Sequence, residues 1–193
     1  LHQCSDDDIQ FSYKLMSGKT GDEFASSLAT SDHRLVVGAP HDDDQKGSIW
    51  VNARVKIAAP QGDWFGSVVD VNQQFMVVGT GDRYATPPAV FVFIFTSNEP
   101  YQLVAKLPVD LGFDVKDVVI TEEDSTIVVA TSDGDDHAFV TVYSYDTSAA
   151  WHINQQSGLE DYKDQYGFIS VTAFGAVLAI GYLDRSDAGR VIL

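Results

Sequence analysis

One segment recurs four times along the chain, and that recurrence limits the fold more than any other feature. Gly21-Asp22-Glu23-Phe24 leads to Leu35-Val36-Val37-Gly38-Ala39-Pro40, and Gly62-Asp63-Trp64-Phe65-Gly66 leads to Phe75-Met76-Val77-Val78-Gly79-Thr80. Two weaker copies follow: Leu111-Gly112-Phe113 leads to Ile127-Val128-Val129-Ala130-Thr131, and Asp164-Gln165-Tyr166-Gly167 leads to Val177-Leu178-Ala179-Ile180-Gly181-Tyr182. The small residue near the end of the second half falls at Gly38, Gly79, Ala130 and Gly181, which are 41, 51 and 51 residues apart. Periods of this size mark stacked supersecondary units that bury their apolar faces against one another.

Each unit reads as four short strands, because β-branched and aromatic residues come in brief runs punctuated by Gly, Asp, Asn, Ser and Pro. In the second unit the strands are expected at Ser67 to Val71, Phe75 to Gly79, Ala89 to Phe95 and Tyr101 to Leu107. The run Val90-Phe91-Val92-Phe93-Ile94-Phe95 does not alternate with polar residues, which suits a strand covered on both faces. The expected fold is all-β: a β-propeller of four-stranded antiparallel blades in approximate units 16–57, 58–107, 108–154 and 155–193, after an N-terminal extension at 1–10. Four units give either a closed four-bladed ring or part of a larger propeller. The last unit stops in its third strand, and Phe11 to Leu15 resembles the fourth strands of other units, so it is expected to supply the closing one. Gly38, Gly79, Ala130 and Gly181 are expected where strands crowd toward the axis. Phe24, Phe65, Phe113 and Tyr166 are expected as wedges between sheets.

Gly62-Asp63-Trp64-Phe65-Gly66-Ser67-Val68 and Val36-Val37-Gly38-Ala39-Pro40-His41-Asp42-Asp43-Asp44 resemble the two halves of an FG-GAP repeat. The resemblance covers nearly the whole chain, strongly in the first two units and in degenerate form in the third and fourth. It implies the β-propeller of integrin α-subunit heads and of secreted or surface adhesion proteins, commonly seven-bladed. Many members carry a calcium loop of alternating aspartates between the first two strands. Here Thr30 to Arg34, Val71 to Gln74, Thr121 to Thr126 and Thr172 to Ala176 are short and lack that pattern, so this chain resembles the short-loop variant without the calcium loop. No cofactor is expected, and calcium is a secondary possibility only.

The carboxylates fall unevenly. Asp42, Asp43 and Asp44, then Asp82, then Asp133, Asp135 and Asp136, then Asp184 and Asp187 follow the second strands. In an antiparallel blade that loop leaves by the same end as the link to the next blade, and those links add Asp22, Glu23, Asp63, Asp110, Glu160, Asp161 and Asp164. More than half of the 28 acidic residues are therefore expected on one loop face, a candidate contact surface on a rigid scaffold. Its expected ligand is a basic protein patch or a divalent cation, although Asp and Gly are also ordinary turn residues. His41 and His137 lie in the same loops, but two histidines without a third at fixed spacing are a weak metal signal.

With 12 Lys and Arg against 28 Asp and Glu, the net charge of −16 repels nucleic-acid phosphates and anionic membranes. The longest strongly apolar run, Ala89 to Phe95, is far below the ~20 residues of a helical membrane span. The single cysteine, Cys4, leaves an intermolecular disulfide as its only pairing. The sequence begins at Leu1, which reads as a processed or partial product. No nucleophile elbow, zinc-type histidine pair, phosphate loop or dinucleotide fingerprint is found. The expected function is a non-catalytic extracellular or cell-surface interaction or adhesion module. The alternatives are a repeating subunit of an extracellular filament or sheath, and a glycan hydrolase or lyase using channel carboxylates such as Asp70.

Overall fold

The computed structural model describes residues 19–52, 54–60, 64–81, 88–96, 101–134, 137–146, 150–159, 169–174, 177–183 and 189–193. Fifteen strands among these residues form four antiparallel meanders, each strand pairing with its neighbours in sequence. Blade 1 holds β1 (Ser27–Ser31), β2 (Arg34–Ala39), β3 (Ser48–Val51) and β4 (Val55–Ala58), with a one-turn segment, α1 (Asp42–Gln45), between β2 and β3. Blade 2 holds β5 (Val68–Val71), β6 (Phe75–Gly79), β7 (Ala89–Ile94) and β8 (Gln102–Pro108). Blade 3 holds β9 (Asp114–Ile120), β10 (Ile127–Ser132), β11 (Ala138–Tyr145) and β12 (Trp151–Gly158). Blade 4 shows β13 (Ile169–Phe174), β14 (Val177–Leu183) and β15 (Gly189–Ile192). The architecture is the expected all-β, four-bladed β-propeller; residues 11–15, the expected closing strand, lie outside the described residues.

The core lies between blades. Val36, Ile49 and Val51 of blade 1 pack with Phe65, Met76, Val78 and Phe91 of blade 2. Phe75, Val77, Val90 and Val92 turn the other way and pack with Val115, Val118, Ile127 and Val129 of blade 3. Val128, Ala130 and Val140 of blade 3 pack with Ile169, Val171, Ile180 and Tyr182 of blade 4. Side chains alternate across a strand, so consecutive residues of β6 serve two different cores. That is why its run is apolar throughout.

The repeated motif is the splice between blades. Glu23, Phe24 and Ala25 of the first copy and Trp64, Phe65 and Gly66 of the second make the same turn. In each, the first and third residues have positive φ, at 50° and 68° in one copy and 57° and 94° in the other. The third residue's N–H donates to the carbonyl of its own blade's second-strand glycine, Ala25 to Gly38 at 2.9 Å and Gly66 to Gly79 at 3.1 Å. Phe65 is fully buried, edge-on to Phe91 and Phe93 at 5.6 and 6.2 Å. Phe24 is only partly buried and meets Trp50.

Gly38 is small for a reason other than crowding at the axis. A Cβ there would lie 2.0 Å from the carbonyl oxygen of Gly66, so the next blade's entry turn occupies that space. At Gly79 a Cβ would come within 2.8 Å of Val115 of blade 3.

At the opposite end from α1, the hairpin turns of three blades meet. Arg34 Nη1 donates to the Gln73 carbonyl at 2.9 Å, and Asn72 Nδ2 donates to the Thr121 carbonyl at 2.8 Å. Ser31 Oγ of blade 1 donates to Glu122 Oε1 of blade 3 at 2.7 Å, so these two non-adjacent blades touch directly.

Candidate functional site

The expected acidic face is best described beside blade 1. The chain entering that blade (Lys19 to Glu23) and α1 border an open, polar concavity of about 300 Å³, lined by Asp22, His41, Asp43, Asp44 and Gln45 among others. The His41 N–H donates to the Asp22 carbonyl at 3.3 Å, which joins link and loop as the blade geometry requires. Asp43, Asp44 and Gln45 all lie in the left-handed region, with φ of 52°, 60° and 70°. Three such residues in succession cost energy for L-amino acids, least for Asp. The turn then feeds the next blade: Trp64 N–H donates to the Gln45 carbonyl at 2.8 Å, and Phe65 N–H to the Lys46 carbonyl at 3.0 Å. His41 lies beside the Trp64 ring, with centroids 5.1 Å apart, and its Nδ1 is 3.1 Å from Glu23 Oε1.

The three aspartates of this loop do different jobs. Asp42 is buried: Ser48 Oγ donates to its Oδ2 at 2.6 Å, the Asp43 N–H donates to its Oδ1 at 2.8 Å, and Lys56 Nζ lies 2.7 Å from Oδ2. Burial pushes its pKa up, but these hydrogen bonds and the lysine outweigh it and hold the carboxyl below its usual value. Lys56 responds in the opposite sense: burial pulls its pKa down, Asp42 and Asp43 push it up, and the net is upward. Asp43 shares Lys56 at 2.8 Å, and both Asp43 and Asp44 reach solvent.

Of the other expected contacts, Asp133 is tied to its own hairpin. Its carboxylate accepts the His137 N–H at 3.2 Å and meets His137 Nδ1 at 2.7 Å. Asp82, Asp135, Asp136, Asp184, Asp187 and Cys4 lie outside the described residues. His41 and His137 thus each face a separate carboxylate. Among the described residues no three His, Cys, Asp or Glu side chains gather in a set suited to a metal ion.

Two aspartates whose place the sequence did not reveal staple the blades together. Asp70 Oδ2 accepts the Ile120 N–H of blade 3 at 2.7 Å, and Oδ1 accepts the Val71 N–H at 2.9 Å. Asp117 repeats this one blade on: its Oδ2 accepts the Val171 N–H at 2.8 Å and Ser170 Oγ at 3.0 Å, and its Oδ1 accepts the Val118 N–H at 2.9 Å. Burial dominates both pKa values. It pushes Asp70 up to about 6 despite the two N–H donors, with a further upward push from Asp117 and Glu122. It raises Asp117 as well, against three hydrogen bonds that lower it. Both carboxylates are committed to backbone donors. The shared signature, Asp followed by Val in an apolar strand at Asp70-Val71 and Asp117-Val118, is visible in the sequence, but nothing local shows that it reaches the next blade.

The FG-GAP repeat model matches residues 17–51, which span β1 to β3 and the α1 loop. No curated protein matches the chain. A crystal structure of a protein from Lactobacillus plantarum aligns with 88% of this chain and 70% of its own, at 11% identity and a TM-score of 0.37. With the motif turn found at the blade 1 to blade 2 junction and four blades in sequence, this protein is a four-bladed β-propeller that carries the FG-GAP repeat.

Proposed function

We infer that this propeller is a non-catalytic interaction module, extracellular or at a cell surface, that binds a basic protein partner through its acidic loop face. The observation that carries this reading is the concavity beside α1. There the solvent-reaching carboxylates of Asp43 and Asp44 are held by a left-handed turn on a rigid blade, next to Glu23. Carboxylates outnumber the lysines beside them, Lys19 in the lining and Lys56 on Asp43, and that surplus of negative charge favours a cationic ligand and speeds its encounter. The extracellular setting rests on the repeat. A catalytic reading is less well supported, because the expected channel carboxylate, Asp70, spends both oxygens on backbone donors.

The test is titration with a lysine- and arginine-rich peptide, followed by Trp64 emission in a variant lacking the other two tryptophans. Binding should weaken steeply with salt. It should fall about tenfold in Asp43→Asn/Asp44→Asn, since Asn tolerates the left-handed backbone and the change removes charge alone. Equal binding by that variant, or by an acidic peptide, would overturn the reading.

A further inference from the structure

The outer strands of blades 2 and 3 are built alike and guarded differently. In β8 the pairing with β7 skips Val104, and in β12 the pairing with β11 skips Asn154 at the same place along the strand. Past these bulges β8 runs Ala105-Lys106-Leu107-Pro108 and β12 runs Gln155-Gln156-Ser157-Gly158. Gln156 therefore stands where blade 2 has Lys106, and Gly158 where it has Pro108. Lysine and proline on an outer strand guard a sheet edge against the addition of another strand. β12 has neither.

The backbone shows what those guards would cover. Phe139 pairs with Gly158, and the Leu159 N–H donates to the Ala138 carbonyl at 2.9 Å. That bond makes Phe139 and Gly158 a pair without mutual hydrogen bonds, so the N–H and carbonyl of Gly158, and by alternation those of Gln156, point away from β11. At Pro108 the equivalent N–H does not exist. Among the described residues β12 is the end strand of its sheet, and every residue from His152 to Gly158 is exposed. The strand from Trp151 to Gly158 carries no Asp, Glu, Lys or Arg.

We propose that this edge pairs with the same edge of a second copy of the chain: β12 meets β12 antiparallel about a two-fold axis and joins two four-stranded blades into one continuous sheet. The outward groups of Gln156 face those of Gly158 in the other copy, closing backbone hydrogen bonds on either side of Ser157. The chemistry of the strand selects its own copy. Amides and hydroxyls both donate and accept, so a Gln-Gln-Ser row complements itself. In a chain of net charge −16, an uncharged strand also lets two copies meet without setting carboxylate against carboxylate. A two-fold contact uses the edge of both copies and so stops at the dimer. One short strand on another falls below the ~1,200 Å² of a stable interface, and the dimer forms only as concentration rises. None of the acidic-loop residues takes part, so this contact is independent of the partner proposed above.

Sedimentation velocity and amide hydrogen exchange on the full chain test this, with reductant present so that Cys4 cannot link copies. The mass should rise with concentration from the monomer's 21.1 kDa toward twice that value and no further. Over the same range the Gln156 and Gly158 amides should pass from unprotected to protected. Gly158→Pro removes only an outward N–H, and Gln156→Glu sets a carboxylate at the edge. Each should stay monomeric where wild type is dimeric, with an unchanged melting temperature. A wild-type monomer at every concentration overturns the proposal, as do variants that dimerise like wild type or assembly beyond the dimer. So does protection of the two amides in the monomer, or a lower melting temperature in both variants, since either would show that the edge is covered within one chain.

Discussion

At the scale of single residues, the carboxylates divide by what their oxygens touch. Asp70 and Asp42 carry the same group with opposite consequences. The folded state raises the Asp70 pKa from the ordinary 3.8 to about 6, so the folded protein holds that proton more tightly than the unfolded chain. The contribution of Asp70 is therefore fully present below about pH 4 and is lost as pH rises through 6. Asp42 runs the other way, its contribution being present above its unfolded pKa and lost on acidification. Urea unfolding across pH 4 to 7 should show wild type losing on the order of 2–3 kcal/mol relative to Asp70→Asn over that interval. A difference that stays flat with pH would show that Asp70 does not titrate in this way. None of this was legible in the sequence. Asp42, Asp43 and Asp44 look alike on paper, and only the fold shows that Ser48 and Lys56 take the first of them out of the solvent-facing set.

At the scale of elements, the blade-to-blade splice was the legible part. The recurrence of an aromatic-glycine turn and a glycine-terminated apolar strand located β1, β2, β5 and β6, because both halves meet backbone constraints that few residues satisfy. The physical reason for the second-strand glycine was misread. At Gly38 it accommodates the next blade's turn and at Gly79 the Val115 side chain of the next blade, contacts between residues far apart in sequence that no local pattern displays. Gly38→Ala should accordingly destabilise the protein by about 1–3 kcal/mol, since the added methyl meets Ser27 Oγ and also the Gly66 backbone carbonyl, which cannot rotate away as a side chain can. Equilibrium unfolding would measure it, and a neutral result would refute the tight approach. The two interblade aspartates were missed for a similar reason: their partners, Ile120 and Val171, lie 50 and 54 residues away.

At the scale of the whole molecule, stability is unevenly shared. Among the described residues, blades 2 and 3 each contribute to two cores, whereas blade 4 contributes to one and shows an exposed β15. Stacked units draw much of their stability from neighbours, so blade 4 is the place for local opening. Under native conditions, amide exchange in β13 and β14 should be faster than in β6 and β10, and equal protection in the four strands would contradict this. The number of repeat units was legible at this scale, because each repeat marks one blade. The uneven coverage was not, since β14 reads as apolar as its counterparts.

The contact between Ser31 and Glu122 bridges 91 positions of chain, while the sheets themselves are built from hairpins between consecutive strands. Local pairings form quickly and distant ones wait for chain closure. A chain leaving the ribosome can therefore complete blade 1 and then blade 2 before the residues that fasten the first blade to the third have been synthesised. Glu122 thus fastens blade 3 to a strand made 91 positions earlier, closing the fold across blades that hairpins alone have already shaped.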